Sequence, residues 1–304
     1  MNRKEFIKVI GITGAAIVLA PSYLMASSSK KELIRLTILH TNDMHSHIDP
    51  FPLNDPKYPG LGGIEKRAAL IRNIRATEEN VLLLDAGDVF QGTPYFNMYG
   101  GELEFKLMSK MGYDACTIGN HDFDNGLQGL KKMMPHANFP FINCNYDFTN
   151  TELDGAIIPH KIIMKSGLKI GVFGIGVELT GLVDKKNYGE TKYLEPLEIA
   201  NDKARFLRKE KGCNLVVCLS HLGHSYHTKK VSDIVLAKKS KHIDLIIGGH
   251  THTFLDKPIE IKNKSHKTVL VTQAGWAGIN LGRIDYEIYL KPSYSLATGV
   301  SYNI

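Results

Sequence analysis

The segment of the sequence that carries the most chemistry is TIGNHDFDNG, residues 117–126. It follows a short apolar run and brings together an amide, an imidazole and two carboxylates, at Asn120, His121, Asp122 and Asp124. An ordinary turn has no use for these groups together, because the two acids repel each other and histidine titrates near neutral pH. Metal ions and phosphoryl groups do bind to such side chains. The segment therefore predicts a metal site or a phosphoryl site.

Four other apolar runs end in side chains of the same kinds, within HTNDMHSH, LLLDAGDVFQG, CLSHLG and LIIGGHTHT. A single His or Asp after a strand is more often structural than a ligand. Several in succession argue for one shared site, because functional sites of open α/β sheets collect at the carboxyl ends of the strands. The candidate ligands are Asp43, His45, Asp88, Asn120, His221, His250 and His252.

This set of side chains also indicates which metal would bind. Carboxylate and amide oxygens with imidazole nitrogens, and no thiolate, suit Zn, Mn, Fe or Co, and the number of histidines argues against Ca or Mg. The set is too large for one tetrahedral ion but fits two ions that share a carboxylate. A two-metal site clamps the attacking and leaving oxygens of a phosphoryl displacement. We therefore expect two divalent transition-metal ions as cofactors.

The strands and helices that must position these residues alternate along the chain. This alternation, together with antiparallel strand pairs, predicts a layered α/β sandwich. His40 lies inside the first strand and is expected to be packed. The predicted strands are residues 33–39, 81–84, 115–118, 139–143, 215–219, 245–247, 269–273 and 282–289; a hairpin turns at Ser166-Gly167; the predicted helices are 64–76, 102–111, 127–134, 196–211 and 231–240.

Composition narrows the class of protein. The chain has 304 residues, 43% hydrophobic and 22% charged, which is ordinary for a globular protein. Its net charge of +6 is too small and too dispersed to indicate a nucleic-acid partner. Cys116, Cys144 and Cys218 lie in strand-like runs and are expected to be buried thiols, with Cys213 the most exposed.

Residues 1–26 have the layout of a secretory signal peptide: a basic start, an apolar run and small residues near Ala26. The stretch RKEFIK resembles a twin-arginine export signal with Lys in the second Arg position. An uncleaved membrane anchor is the alternative, although the run is short for a membrane span. We expect an exported protein, periplasmic or extracellular, without a stable membrane anchor, and with residues 27–304 as its single domain.

In their order and spacing, the motifs D-x-H, G-D, G-N-H-D, H and G-H-x-H resemble those of the calcineurin-like metallophosphoesterases. ILHTNDMH, DAGDVFQGTP, GNHDFDNG and GGHTH are most similar to the N-terminal catalytic domain of secreted bacterial 5′-nucleotidases. The resemblance implies the metallophosphatase fold, a four-layer αββα sandwich of two mixed sheets flanked by helices. It also implies two ions bridged by Asp88. One set of ligands would be Asp43, His45, Asp88 and His252, and the other Asp88, Asn120, His221 and His250.

The resemblance further implies roles for the residues of the first segment. Asn120 would bind metal and also reach a phosphate oxygen. His121 would stabilise phosphoryl charge or protonate the leaving oxygen, with its ring oriented by Asp124. Asp122 matches an acidic family position that is not a ligand, and we expect it to be a solvated or capping acid. Trp276 is expected to lie outside the cleft.

The predicted function is that of a dimetal phosphoesterase that hydrolyses phosphate monoesters, similar to 5′-nucleotidases, through attack of a metal-activated water on phosphorus. The alternatives are a phosphodiesterase of 2′,3′-cyclic nucleotides, a sulfur-ester hydrolase on the same fold, or a non-catalytic metal-binding partner subunit. Two-domain nucleotidases read the nucleotide with a C-terminal domain, which we expect to be absent because the sequence stops at Ile304. The expected partners are a small phosphoester, such as a nucleotide, and a separate protein of the C-terminal-nucleotidase type.

Overall fold

The computed structural model describes residues 33–290 and 293–304. Residues 34–288 and 295–304 form one compact unit. The second unit, Met1–Leu33 with Tyr289–Tyr294, consists mostly of residues outside this description. The predicted signal peptide and its cleavage site therefore lie outside the described residues. Among the residues that are described, no helix is both long and apolar enough to cross a membrane.

The strands form two large sheets and one small one. The larger sheets have the strand orders β13-β12-β1-β2-β3 and β10-β11-β9-β8-β6-β5, and β4 pairs with β7. The strands are β1 (Leu33–Thr41), β2 (Val81–Asp85), β3 (Ala115–Cys116), β4 (Tyr146–Asp147), β5 (His160–Lys165), β6 (Leu168–Ile175), β7 (Lys192–Tyr193), β8 (Leu215–Ser220), β9 (Leu245–Gly248), β10 (Ile259–Lys262), β11 (Thr268–Thr272), β12 (Asn280–Leu290) and β13 (Ser293–Asn303).

All five predicted helices are present, and the α-helices Pro94–Tyr99 and Lys185–Tyr188 occur in addition, without a prediction from the sequence. The predicted helix 196–211 changes to a π-helix at Phe206–Glu210. Two short 3₁₀ helices span His121–Phe123 and Met134–His136. The α-helices are α1 (Ile64–Thr77), α2 (Pro94–Tyr99), α3 (Glu102–Met111), α4 (Gly126–Met133), α5 (Lys185–Tyr188), α6 (Pro196–Arg205) and α7 (Asp233–Lys239).

The strand pairing confirms one prediction made from the sequence and contradicts another. The hairpin at Ser166-Gly167 is confirmed, since β5 and β6 pair antiparallel across that turn. The strand predicted at 139–143 is wrong, because only isolated bridges form there, from Cys116 to Phe141 and from Ile142 to Ile158. Pro140 lies in this stretch and has no N–H to donate to a ladder, which explains why pairing is not sustained.

Helices cover one face of each large sheet. Leu39 and Leu83, on β1 and β2, belong to one apolar cluster with Ile71, Phe105 and Leu130 of α1, α3 and α4. The six-stranded sheet has its own cluster, in which strand residues pack with helix residues of α6 and α7. Its members include Phe173, Cys218, Ile246, Ala204 and Leu236. Each sheet therefore has an outer helical layer.

The other faces of the two sheets meet in the interior. Successive strand residues point to opposite faces, so Leu36, Ile38 and His40 lie on the face of β1 opposite Leu39, and all three are buried. His40 Nε2 lies 3.2 Å from Thr272 Oγ1 on β11 of the other sheet. The order of layers is helices, sheet, sheet, helices, which confirms the predicted αββα sandwich and the packed position of His40.

All four cysteines are free thiols. Cys116, Cys213 and Cys218 are buried, whereas Cys144 is partly exposed. The expectation that Cys213 would be the most exposed is therefore wrong; it is 2% exposed, in the apolar cluster of the six-stranded sheet. Its sequence neighbours, Gly212 and Asn214, gave no indication of this packing.

Parallel pairing brings the ends of the key strands to common edges. β1, β2 and β3 are parallel to one another, as are β6, β8, β9 and β11. The loops that follow β1, β2, β3, β8 and β9 are the ones that contain the candidate ligands. These five loops converge.

Candidate metal centre

The structure brings the predicted ligand side chains together in two groups. Within each group, one donor atom of every member lies within 4.8 Å of the others. The first group is Asp43, His45 and His252, and the second is Asp88, His221 and His250. All six residues follow strands of the two facing sheets.

In the first group, two imidazoles and a carboxylate face one another. His252 Nε2 lies 3.4 Å from Asp43 Oδ1 and 3.0 Å from His45 Nε2. His45 Nδ1 lies 3.2 Å from the carbonyl oxygen of Phe90. When that nitrogen carries the proton and donates it to the carbonyl, the Nε2 lone pair of His45 is available to a cation in the cluster.

In the second group, a buried histidine faces a buried carboxylate. His221 Nε2 is 3.0 Å from Asp88 Oδ2, and His221 Nδ1 is 2.6 Å from the carbonyl oxygen of Ala86. With Nδ1 donating to Ala86, a neutral His221 turns a lone pair toward the Asp88 carboxylate. Such a contact is repulsive unless a proton or a metal ion lies between the two groups.

Asp88, a member of the second group, also lies near the first. Its Oδ2 atom is 3.0 Å from His221 Nε2 in the second group and 4.0 Å from His45 Nε2 in the first. Its other oxygen, Oδ1, accepts the backbone N–H of His121 at 2.8 Å. A carboxylate in this position suits a ligand that two ions share.

A buried polar atom supports the fit of metal ions to this centre. Among the described residues, Asn120 Oδ1 is buried without a hydrogen-bond partner. A buried polar atom left unpaired costs free energy and needs an explanation. An amide oxygen is a ligand for the divalent metals named above, as is the imidazole nitrogen of His221 that faces Asp88. The residues present therefore fit the metal ions that the sequence predicts.

In the second group, the charge of Asp88 and the charge of His221 each shift the pKa of the other residue. Burial alone would raise the pKa of Asp88, but the positive charge of His221 lowers that pKa well below its usual range. Burial likewise opposes the charge on His221, yet the Asp88 carboxylate raises the pKa of His221 to about 10.

Burial lowers the pKa of His250 to about 4 and also lowers that of His45. Those two rings are thus neutral, which is the metal-binding form of imidazole.

The backbone at this centre is unusual. Positive φ angles occur at Asp43 (50°), His45 (47°), Asp88 (56°), His250 (72°) and His252 (51°). Residues other than glycine rarely adopt this left-handed conformation, and it costs free energy. Such outliers cluster at functional sites, where the surrounding structure enforces them. Their concentration here indicates a functional centre.

His121 and Asp124 form a contact at the edge of the centre. His121 Nδ1 lies 2.9 Å from Asp124 Oδ2, and the His121 side chain is 39% exposed. The hydrogen bond to Asp124 raises the pKa of His121. The ring of His121 is 5.2 Å, centroid to centroid, from that of His45. A carboxylate-held imidazole therefore lies beside the ligand groups and can be reached from solvent.

Asp122 is not a solvated or capping acid, and this sequence-based expectation is wrong. Its side chain is buried and accepts backbone N–H groups from the loop after β2, at Asp88 (3.1 Å), Val89 (3.0 Å) and Phe90 (3.3 Å). It also accepts the N–H of Gly119 at 2.8 Å. Buried backbone donors need acceptors, and Asp122 supplies them across two loops. Asp122 thus fixes the loop that holds Asp88.

Two residues that contact the first group were not expected there from the sequence, namely Trp276 and Asn42. The Trp276 ring stacks on the His252 ring, with centroids 5.6 Å apart and planes at 4°, so the expectation that it lies outside the cleft is wrong. Asn42 donates to Asp43 Oδ2 at 2.6 Å and to the Gly275 carbonyl oxygen, also at 2.6 Å. The sequence offers only one signal for this role, namely that Asn42 directly precedes Asp43.

The chain is similar to known proteins over most of its length. Residues 36–254 match the calcineurin-like phosphoesterase family. The chain is 35% identical over 272 residues to snake venom 5′-nucleotidase of Gloydius brevicauda, covering 82% of this chain and 45% of that protein. It is 33% identical over 288 residues to the trifunctional nucleotide phosphoesterase of Bacillus subtilis, covering 84% of this chain and 18% of that protein.

Among solved structures, that of a 5′-nucleotidase precursor from Thermus thermophilus is similar with a TM-score of 0.81 and 32% identity. The similarity covers 89% of this chain and 55% of that one. This chain therefore spans about half the length of this protein and of the snake venom relative, and less of the Bacillus protein. The family match extends over more than half of the sequence. The chain belongs to the calcineurin-like phosphoesterase family and has its αββα fold.

Proposed function

We propose that this protein is a metal-dependent hydrolase of phosphate monoesters, with nucleotides as its substrates. The observation that carries the proposal is that two groups of side chains that could hold a metal ion, one of which includes Asp88, lie next to the His121–Asp124 pair. The names of the relatives, which include 5′-nucleotidases and a nucleotide phosphoesterase, support the choice of nucleotides.

The proposed cofactors are two divalent transition-metal ions. One would be held by Asp43, His45, Asp88 and His252, and the other by Asp88, Asn120, His221 and His250. When bound, such ions polarise phosphoryl oxygens and lower the pKa of water, so that a nucleophile is available at neutral pH. The unpartnered oxygen of Asn120 supports this assignment.

The remaining chemistry is assigned to groups of the chain itself. Asp124 accepts from Nδ1 of His121 and so fixes the tautomer and the direction of the ring. The opposite nitrogen, Nε2, would donate to a phosphoryl oxygen or give its proton to the leaving oxygen. The Asn120 carboxamide would reach a phosphate oxygen with its N–H₂ group while its oxygen binds metal.

Metal analysis coupled to a phosphoester screen of the purified protein tests the proposal. We expect hydrolysis of monoesters that stops on chelation and returns when Zn, Mn, Fe or Co is added. Preference for a diester or a cyclic nucleotide would favour the phosphodiesterase alternative. Preference for a sulfur ester would favour a sulfur-ester hydrolase, and inactivity with every metal would favour a non-catalytic subunit.

We also propose that the protein is exported, because residues 1–26 have the layout of a signal peptide. N-terminal sequencing and intact mass of protein from the producing cell should show cleavage near Ala26. Soluble cytoplasmic protein that retains Met1 would contradict export.

We also propose a partner, a separate protein of the C-terminal-nucleotidase type. Adding such a protein should lower KM for nucleotides far more than for a small aryl phosphate. A low KM with strong preference for one base, measured on this chain alone, would contradict the need for a partner.

A further inference from the structure

The imidazole of His252 is held differently from those of His45 and His221. Each of the latter two places Nδ1 near a backbone carbonyl oxygen, at 3.2 Å for His45 and 2.6 Å for His221. An outer contact of this kind normally fixes the direction of a metal-binding imidazole. Among the described residues, Nδ1 of His252 has no hydrogen-bond partner, and the side chain is 39% exposed. The packing of the ring is then what remains to orient it.

That packing is a stack on Trp276. The two rings are nearly parallel, at 4°, and their centroids are 5.6 Å apart, which is the offset arrangement that aromatic rings favour. The χ2 torsion of histidine has only broad preferences of its own, so a flat neighbour can decide the plane of the ring. The lone pair of Nε2 lies in that plane, and Nε2 is 3.4 Å from Asp43 Oδ1 and 3.0 Å from His45 Nε2. The stack therefore keeps Nε2 beside the other two members of the first group.

The indole is carried by a loop that is hydrogen-bonded to both strand-end loops of the first group. On one side of it, Gly275 N–H donates to the carbonyl oxygen of Thr253, the residue after His252, at 3.0 Å. On the other side, Ala277 N–H donates to the carbonyl oxygen of Asp43 at 2.8 Å. The main chain on either side of the indole is thus tied to the main chain of the candidate ligands.

Three further rings contact the indole of Trp276. They belong to the segment between β1 and α1 and meet the indole at steep angles, namely His47 (5.3 Å, 83°), Phe51 (5.9 Å, 70°) and Tyr58 (6.2 Å, 70°). Edge-to-face contacts of this kind are a second favoured geometry of aromatic pairs. They restrict rotation of the indole, so His252 stacks on a surface that is itself fixed.

We infer that Trp276 is a positioning residue, which holds the imidazole of His252 in the orientation that keeps Nε2 beside Asp43 and His45. It takes the place of the outer hydrogen-bond partner that His252 lacks among the described residues. Its effect on a metal ion rests on the proposed function, whereas its effect on the ring does not. Because His252 belongs to the first group only, loss of the stack should affect one ion and spare the other.

Crystal structures of the full chain, whatever its metal content, test the effect on the ring. In Trp276→Leu, which cannot stack, the ring of His252 should turn or occupy more than one orientation. In Trp276→Phe, which can stack, it should keep the orientation of the wild type. An unchanged ring in Trp276→Leu would overturn the inference. This readout requires neither catalysis nor bound metal, so it decides the role of Trp276 even if the proposed function is wrong.

Release of metal to a chelator tests the consequence for the first group. Trp276→Leu should lose one equivalent roughly three- to tenfold faster than wild type, the range to which loss of an aromatic pair corresponds. Trp276→Phe should restore a rate close to that of the wild type. Phe254→Leu is the matched control, because Phe254 is 38% exposed and its one ring contact among the described residues is with Tyr58. Equal rates in Trp276→Leu and Phe254→Leu, or no rescue by Phe, would overturn the positioning role.

Discussion

The carboxylate of Asp122 accepts the backbone N–H of Asp88 at 3.1 Å, so one acid holds the main chain of another. Asp88 has a left-handed φ of 56°. The same carboxylate also accepts the N–H groups of Val89 and Phe90, the next two residues. The strained conformation of the Asp88 loop is thus held by a side chain from the loop after β3.

Asp122→Asn should therefore weaken both the fold and the metal centre. The amide retains one acceptor oxygen and turns an N–H₂ group toward backbone donors, and each unsatisfied buried donor costs about 1–3 kcal/mol. We expect a lower Tm and metal affinity reduced roughly 10–100-fold. Thermal melts and metal content after dialysis measure both effects.

Asp124→Asn is the matched control for Asp122→Asn, because the side chain of Asp124 contacts the ring of His121 and not the Asp88 loop. It should retain its metal and nearly the wild-type Tm. If the two variants behave alike, Asp122 has no special role in holding Asp88.

Asp88→Asn should reduce occupancy of both ions, because Asp88 Oδ2 lies between the two groups of ligands. His252→Ala should reduce occupancy of one, because His252 belongs to the first group only. Metal stoichiometry after dialysis distinguishes the two outcomes. Unchanged stoichiometry in Asp88→Asn would rule out a shared ligand at this position.

His121→Ala should retain both ions and lose activity. A single positioned acid–base group is usually worth about 10²–10⁴ in rate, and we expect kcat to fall within that range. Asp124→Asn should lose less, since the ring of His121 remains. Steady-state kinetics with metal analysis are the measurement. Loss of metal in His121→Ala would show a structural or ligand role, and a loss below about threefold would remove His121 from the mechanism.

The stability of the protein should depend on pH through His40. Burial lowers the pKa of His40 from 6.5 to about 3, so the ring is neutral in the folded state. Below pH 6.5 the unfolded chain takes up a proton that the folded chain does not. This contribution to stability is complete above pH 6.5 and falls by up to about 1.4 kcal/mol per pH unit as pH decreases toward 3.

His40→Gln should remove this dependence, because Gln does not titrate. The variant should lose less stability than wild type between pH 7 and pH 5, whatever its stability at pH 7. Denaturant unfolding of the metal-free protein at both pH values measures the difference, and the other histidines contribute equally to both proteins. Parallel losses in the two proteins would show that His40 is not buried in its neutral form.

The convergence of the candidate site could be predicted because it depends on local patterns. Strands are recognisable from runs of β-branched residues, and parallel pairing brings their ends to one edge. Asp43, Asp88 and His221 could therefore be grouped from sequence, although they are far apart along the chain.

What could not be predicted depends on contacts between distant loops. Asp122 looks like a surface acid until the N–H groups of the loop after β2 are placed around it. The stacking of Trp276 on His252 likewise depends on how two loops meet. The π-helix at Phe206–Glu210 differs from an α-helix by one hydrogen-bond register, which the periodicity of the sequence does not resolve.

The left-handed backbone at Asp43, His45, Asp88, His250 and His252 has a consequence for the evolution of this chain. Glycine would adopt these conformations without strain, which otherwise costs about 1–3 kcal/mol per residue. Relief of backbone strain alone would therefore favour Gly at these positions and would remove the donor groups. The proposed chemistry would keep Asp and His there. Glycine at these positions in a related sequence would thus indicate a lineage that has kept the fold and abandoned the reaction.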